Sequence, residues 1–206
     1  MLAFIGRGEG QALDVGCGEG RVSRVLKDCG YRVTATDPVE AFISAAEQAG
    51  SADEYKVASA GNLPFADDTF DLAIAYNVLM DIEDVPTALR EIRRVLRPSG
   101  ILVISIVHPF ADRGRFVGPE PDAPFVLHNS YFGRERFEGV EERNELENYM
   151  LALEGAGFAV SALWEPIPDA GEAWTPMERW SRIPLLLWLK LALCRVGRMP
   201  PLCGNW

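Results

Sequence analysis

The chain lacks the features that mark secreted, membrane-spanning and nucleic-acid-binding proteins. It has 4 cysteines in 206 residues, and Cys17, Cys29, Cys194 and Cys203 form no C-x-x-C pair. With no signal peptide ahead of the first strand, a reducing cytoplasm is the expected setting, and no metal centre is expected. Lysine and arginine are outnumbered by Asp and Glu, 20 to 30, for a net charge of −10. That balance argues against a nucleic-acid or anionic-membrane partner, since both need clustered cations to displace counterions. Long hydrophobic runs are absent too. The longest, Ile183 to Leu193, is interrupted by Pro184 and Lys190 and is too short to span a bilayer. What is present is 48% hydrophobic content, enough for one sizeable core. The expectation is a single domain over 1–206 whose partner is a small molecule.

The most informative segment is Ala12-Leu13-Asp14-Val15, an apolar strand that runs into Gly16-Cys17-Gly18-Glu19-Gly20 and then into a helical pattern. Glycines can take φ > 0 and expose the N–H groups of the loop and helix start to bound polar atoms. Asp37 closes the next strand, Arg32 to Thr36, and lies 17 residues beyond Gly20. In a nucleotide-binding βαβ unit an acid there reads ribose hydroxyls, so the expected ligand is an adenosine derivative. A dinucleotide fingerprint would place its third glycine at position 21, which is Arg21.

With Asp14 two residues before Gly16, the pattern is D-x-G-x-G-x-G. Here the chain resembles the class I S-adenosylmethionine-dependent methyltransferases. The stretch Asn62-Leu63-Pro64-Phe65 to Leu72 resembles the approach to the family's fourth strand, and Leu89 to Gly100 resembles the helix and turn before its fifth. Together these motifs cover residues 10 to 108 in the family's order. The resemblance implies that Asp14 orders the loop and contacts the methionyl ammonium of S-adenosylmethionine, while backbone at Gly16, Cys17, Gly18 and Gly20 surrounds the amino-acid part. It implies Asp37 on both ribose hydroxyls, Pro38 near the adenine, and Asn77 and Val78 beside the sulfonium. Two departures stand out. Many relatives place an acid at Ser59 to accept the adenine amino group, and a hydroxyl offers only a neutral, weaker bond. Relatives also commonly carry one or two helices before the first strand. Met1 to Gly10 cannot supply that cover, which leaves a more open pocket, closure by a second copy in a homodimer, or a truncated chain.

Strand and helix alternate along the rest of the chain. Arg21 to Cys29, Glu40 to Ala49 and the stretch after Asp84 read as helices, the last with Val85, Ala88, Leu89, Ile92, Val95 and Leu96 on one face. Tyr55 to Ala60 and Phe70 to Asn77 read as strands buried on both faces, and Gly100 to His108 as a central strand. This order predicts a doubly wound, mostly parallel, Rossmann-like α/β sheet. The resemblance sets its strand number at seven.

From Pro109 to Arg143 prolines and glycines break the pattern, while Phe110, Phe116, Phe125, Tyr131, Phe132 and Phe137 make it too aromatic for a solvated linker. We read 109–143 as a lid-like insertion after the fifth strand. Glu145 to Ala156 returns to helical spacing and Phe158 to Trp164 to a strand. For Leu185 to Leu193, propensity favours helix and the resemblance an antiparallel strand, which we follow. His108, at the end of the fifth strand, is the expected general base, with His128, Tyr131 and Glu138 as weaker candidates. The acidic balance and aromatic lid point to a neutral, cationic or aromatic acceptor. Two other classes stay open: a non-catalytic module that binds the cofactor or a partner protein, and an NAD(P)-dependent dehydrogenase.

Overall fold

The computed structural model describes residues 2–128, 146–168 and 177–194. The strands are β1 (Gln11–Val15), β2 (Arg32–Asp37), β3 (Glu54–Val57), β4 (Phe70–Tyr76), β5 (Leu96–Val107), β6 (Gly114–Phe116), β7 (Phe125–Leu127), β8 (Phe158–Trp164) and β9 (Leu186–Leu193). The helices are α1 (Leu2–Ile5), α2 (Arg21–Asp28), α3 (Glu40–Gln48), α4 (Val85–Val95), α5 (Pro109–Asp112) and α6 (Leu146–Gly155). Seven strands form one sheet in the order β3-β2-β1-β4-β5-β9-β8. It is parallel from β3 to β5, and β9 runs antiparallel to both β5 and β8. This is the expected doubly wound fold, and strand order reverses at β1 and β4, so their carboxyl ends open the crevice where such folds bind ligands.

Buried side chains cover both faces. On one, α4 presents Val85, Ala88, Leu89, Ile92 and Val95 to β4 and β5, and α6 adds Tyr149 and Leu153. On the other, Val22 and Leu26 of α2 and Ile43 and Ala46 of α3 pack on β1 and β2, joined by Phe4 and Ile5 of α1. Asp84 caps α4 by accepting from Thr87 N–H at 2.9 Å, as a residue before an apolar helical face should.

Two expectations need correction. The strand read at Tyr55 to Ala60 is Glu54–Val57, and it is an exposed edge strand rather than one buried on both faces, because it pairs only with β2. The insertion is not free of regular structure: α5 and the β6–β7 hairpin fill residues 109–127. Its rings pack together, with Phe116 and Phe125 5.0 Å apart and both beside Trp180, at 5.1 and 6.0 Å. Arg182 Nη1 holds the hairpin turn by donating to the carbonyls of Pro121 and Ala123 at 3.1 and 2.9 Å. Tyr131, Phe132, Phe137, Glu138 and Cys203 lie outside the described residues. At the N-terminus, Phe4 and Ile5 are buried against the sheet.

Candidate active site

Everything the motifs singled out near the glycines comes together at the carboxyl ends of β1, β2 and β4. Gly16, Gly18 and Gly20 have φ of +68°, +52° and +78°. A Cβ on Gly16 would strike Val78, and one on Gly20 would strike Ser51, so both positions need the missing side chain as well as the φ. At Gly18 the same direction is open space. The loop therefore packs on its neighbours at its ends and presents its middle to the crevice.

Asp14 and Asp37 flank that loop. Asp14 is buried, and its Oδ2 accepts from Ser23 Oγ at 2.6 Å. Its Oδ1 is buried with no hydrogen-bond partner among the described residues. Burial pushes its carboxyl up to about 6, against the pull of the Ser23 hydrogen bonds and helped by the charge of Asp37. Asp37 is also buried, with Oδ2 accepting from Gly18 N–H at 3.0 Å and Oδ1 from Val39 N–H at 2.9 Å. Each oxygen keeps a lone pair. Pro38 and Val39 continue from it as exposed apolar surface.

Cys17 N–H donates to Thr36 O at 2.9 Å, tying the loop to β2. Burial, with Asp14 and Asp37 nearby, pushes the Cys17 thiol up to about 12, so it stays protonated and unreactive. Ser59 is exposed on the same rim, one residue after Ala58, whose N–H donates to Asp37 O at 3.1 Å. The Asn62-Leu63-Pro64-Phe65 stretch that follows is held from α4: Arg94 donates to the carbonyls of Leu63 and Phe65 at 2.9 and 2.7 Å, and Glu91 accepts from Leu63 N–H at 3.1 Å.

Asn77 ends β4 in the left-handed region, φ +54°, where asparagine is tolerated. Its N–H donates to Ser105 O at 2.7 Å and its Oδ1 accepts from Ser105 Oγ at 2.6 Å. The next residue is Val78, whose side chain occupies the space that a Gly16 Cβ would need. The turn after β4 and the glycine loop thus meet.

His108 lies just beyond β5 and caps α5. Its Nδ1 accepts from Phe110 N–H at 3.1 Å, and its Nε2 faces Glu165 Oε1 at 3.2 Å. The neutral ring then carries its proton on Nε2, and neither nitrogen has a free lone pair. Burial lowers its pKa, partly offset by Glu165. His128 N–H donates to Arg113 O at 2.7 Å within the hairpin, and its Nε2 is buried without a partner among the described residues.

Two residues of this arrangement escaped the motif reading. Ser23 was readable as a polar residue on the apolar face of α2, between Val22 and Leu26, which asks for a buried partner. Glu165 gave no sequence signal, because it reaches His108 only through the pairing of β8 with β9 and of β9 with β5.

A family described as "Methyltransferase domain" matches residues 13–104, from β1 into β5. Malonyl-[acyl-carrier protein] O-methyltransferase of Serratia marcescens is 36% identical over 95 residues, 46% of this chain and 37% of that protein. Ubiquinone biosynthesis O-methyltransferase of Azorhizobium caulinodans is 31% identical over 155 residues, 73% of this chain and 59% of that protein. The chain thus spans about half the length of the curated relatives it matches, or less. Among solved structures, an S-adenosylmethionine dependent methyltransferase from Mesorhizobium loti aligns with a TM-score of 0.76 at 24% identity, over 89% of this chain and 91% of that one. Residues 13–104 thus match a methyltransferase domain, and the fold of the chain is that of the Mesorhizobium loti S-adenosylmethionine dependent methyltransferase, in agreement with the resemblance carried by the glycine loop between Asp14 and Asp37.

Proposed function

We propose that the chain binds S-adenosylmethionine over the carboxyl ends of β1, β2 and β4 and directs methyl transfer to an oxygen, nitrogen or carbon nucleophile of a small metabolite. The observation that carries this reading is Asp14 Oδ1, a buried carboxylate oxygen with no hydrogen-bond partner among the described residues, two residues ahead of the glycine loop. A lone buried anion is costly, and an ammonium group supplies the missing charge and donors. Asp37 offers two outward lone pairs to a ribose diol, the exposed Pro38 and Val39 give an apolar bed for a purine, and the Ser59 hydroxyl accepts one neutral hydrogen bond at its rim. Asn77 and Val78 close the side nearest the reacting end. The bound cofactor supplies an activated methyl group on a sulfonium, so the chain's task is to align the nucleophile and exclude water. The names of the relatives above favour oxygen as the accepting atom. In this reading the acceptor is a small molecule rather than nucleic acid, and the work is done in the cytoplasm.

The experiment is incubation of the purified protein with methyl-labelled S-adenosylmethionine and a panel of hydroxyl, carboxyl and amine metabolites. Label appearing in an acceptor, with S-adenosylhomocysteine formed in equal amount, is the expected result. Cofactor binding without transfer to any class of nucleophile would assign the chain to the non-catalytic alternative.

For His108 the geometry favours a positioning role. A base needs a free lone pair within reach of the acceptor's proton, and here Nδ1 serves the α5 cap while Nε2 serves Glu165. His108→Asn, which retains a capping side chain, should lower kcat by less than about tenfold with an unchanged pH profile, against the about 10²–10⁴-fold expected of a general base. A loss in the larger range, with the titration gone from the profile, would restore the base role.

A further inference from the structure

A serine inside a helix ordinarily turns its hydroxyl back to a carbonyl of its own helix, one turn earlier, or out to water. Ser23 does neither. It is fully buried on the face of α2 that carries Val22 and Leu26, and it donates across to β1, to Asp14 Oδ2 at 2.6 Å. The start of α2 gives this contact a second purpose. Gly20 stands at the N-cap with no side chain to accept from the first turn, and the first bond of the helix runs from Arg24 N–H to Gly20 O at 3.1 Å. The Ser23 N–H precedes that bond, and it too favours the charged Asp14 carboxylate.

The other neighbours of Asp14 give its charge no help. Within the sheet it pairs with Ala35 of β2 and Ile74 of β4, and neither can titrate. Among the described residues the titratable groups that act on it are Asp37, at the end of β2, and Cys17, in the loop. Neither brings a positive charge. Burial and Asp37 both favour the protonated acid, and the two Ser23 donors oppose them. The hydroxyl engages Oδ2 alone, and Oδ1 is left without a partner among the described residues.

We propose that Ser23 is a positioning residue for the cofactor: by donating to Oδ2 it holds the Asp14 carboxylate in place and leaves Oδ1 as the oxygen that meets the ammonium group of S-adenosylmethionine. This rests on the methyltransferase reading and adds to it a residue that acts through Asp14. A hydroxyl donor stabilises the charged acid over the neutral one, so Ser23 also sets how far the pH can fall before the site loses its anion. Without that donor, burial keeps Asp14 protonated to higher pH. A neutral carboxyl then faces the ammonium group, and the charge-assisted bond is lost.

The test compares wild type, Ser23→Ala and Ser23→Cys by calorimetric titration with S-adenosylhomocysteine across the pH range, and by NMR titration of the Asp14 carboxyl carbon in the unliganded proteins. Cysteine keeps the packing and offers only a weak donor, so it separates the hydrogen bond from the volume. In Ser23→Ala the rise of affinity with pH should move up by about one pH unit, which makes affinity about tenfold lower than wild type in mildly acid solution and nearly equal to it in mildly alkaline solution. Ser23→Cys should fall between the two, and the carboxyl signal should move by the same amount. A loss of affinity that is equal at every pH, or Asp14 titrating as in the wild type in both variants, would overturn the proposal. Wild-type protein that ignores S-adenosylhomocysteine would count against the methyltransferase reading, while an unmoved carboxyl titration in the unliganded variants would count against Ser23 alone.

Discussion

Asp14→Asn should make the unliganded protein more stable at pH 7.5 and at the same time weaken S-adenosylhomocysteine binding. Burial raises the folded-state pKa of Asp14 from 3.8 to about 6, so the folded protein holds this proton more tightly than the unfolded chain. The resulting stabilisation is fully present below about pH 4 and is lost as pH rises through 6. At pH 7.5 the ionised carboxylate therefore costs about 3 kcal/mol relative to its protonated form. Asparagine keeps the shape and removes the charge, for an expected gain of about 1–3 kcal/mol at pH 7.5 that vanishes near pH 4. Urea denaturation at the two pH values reads it. The same substitution replaces the unpartnered carboxylate oxygen with a neutral group, so affinity should fall by about 1.5–3 kcal/mol, roughly 10- to 150-fold. Binding by the wild type should also weaken as pH falls through 6, and that dependence should be absent from the variant. A folded Asp14→Asn protein with wild-type affinity would remove Asp14 from the site.

Asp37→Ala should weaken binding by a similar amount, about 1.5–3 kcal/mol, at the other end of the ligand. Its two oxygens hold Gly18 N–H and Val39 N–H in place, so the substitution removes both the ribose acceptors and the anchor that ties the middle of the loop to β2. The two acids are separable with fragments. Competition by adenosine should be lost in Asp37→Ala and kept in Asp14→Asn, because adenosine carries the diol and lacks the ammonium. Unchanged S-adenosylhomocysteine affinity in folded Asp37→Ala would leave this acid as a loop anchor alone.

The sheet and the crevice at Asp14, the glycines and Asp37 were legible because their residues are close in sequence and chemically constrained. Asp14, the glycines and Asp37 sit in one βαβ unit, where backbone geometry fixes residue type locally. The apolar face of α4 was read to within one residue, Leu96 beginning β5 rather than ending the helix. What was not legible depends on long-range pairing. Leu186–Leu193 is composed largely of helix formers and reads as a strand only through the resemblance; it is one because it is buried between β5 and β8, and tertiary burial outweighs propensities of a few tenths of a kcal/mol per residue. Exposure at β3 follows from its place at the sheet edge, which periodicity does not reveal. The His108 contact with Glu165 arises only once β9 pairs with β5 on one side and β8 on the other.

In the proposed function the crevice at Asp14, Gly18 and Asp37 holds S-adenosylmethionine. Calorimetric titration of the wild-type protein with S-adenosylhomocysteine and, separately, with NADH tests it most directly. One-to-one binding of S-adenosylhomocysteine that strengthens from pH 5 to pH 7 as Asp14 ionises is the expected result, with no saturable binding of NADH. Saturable binding of NADH by a protein indifferent to S-adenosylhomocysteine would contradict it.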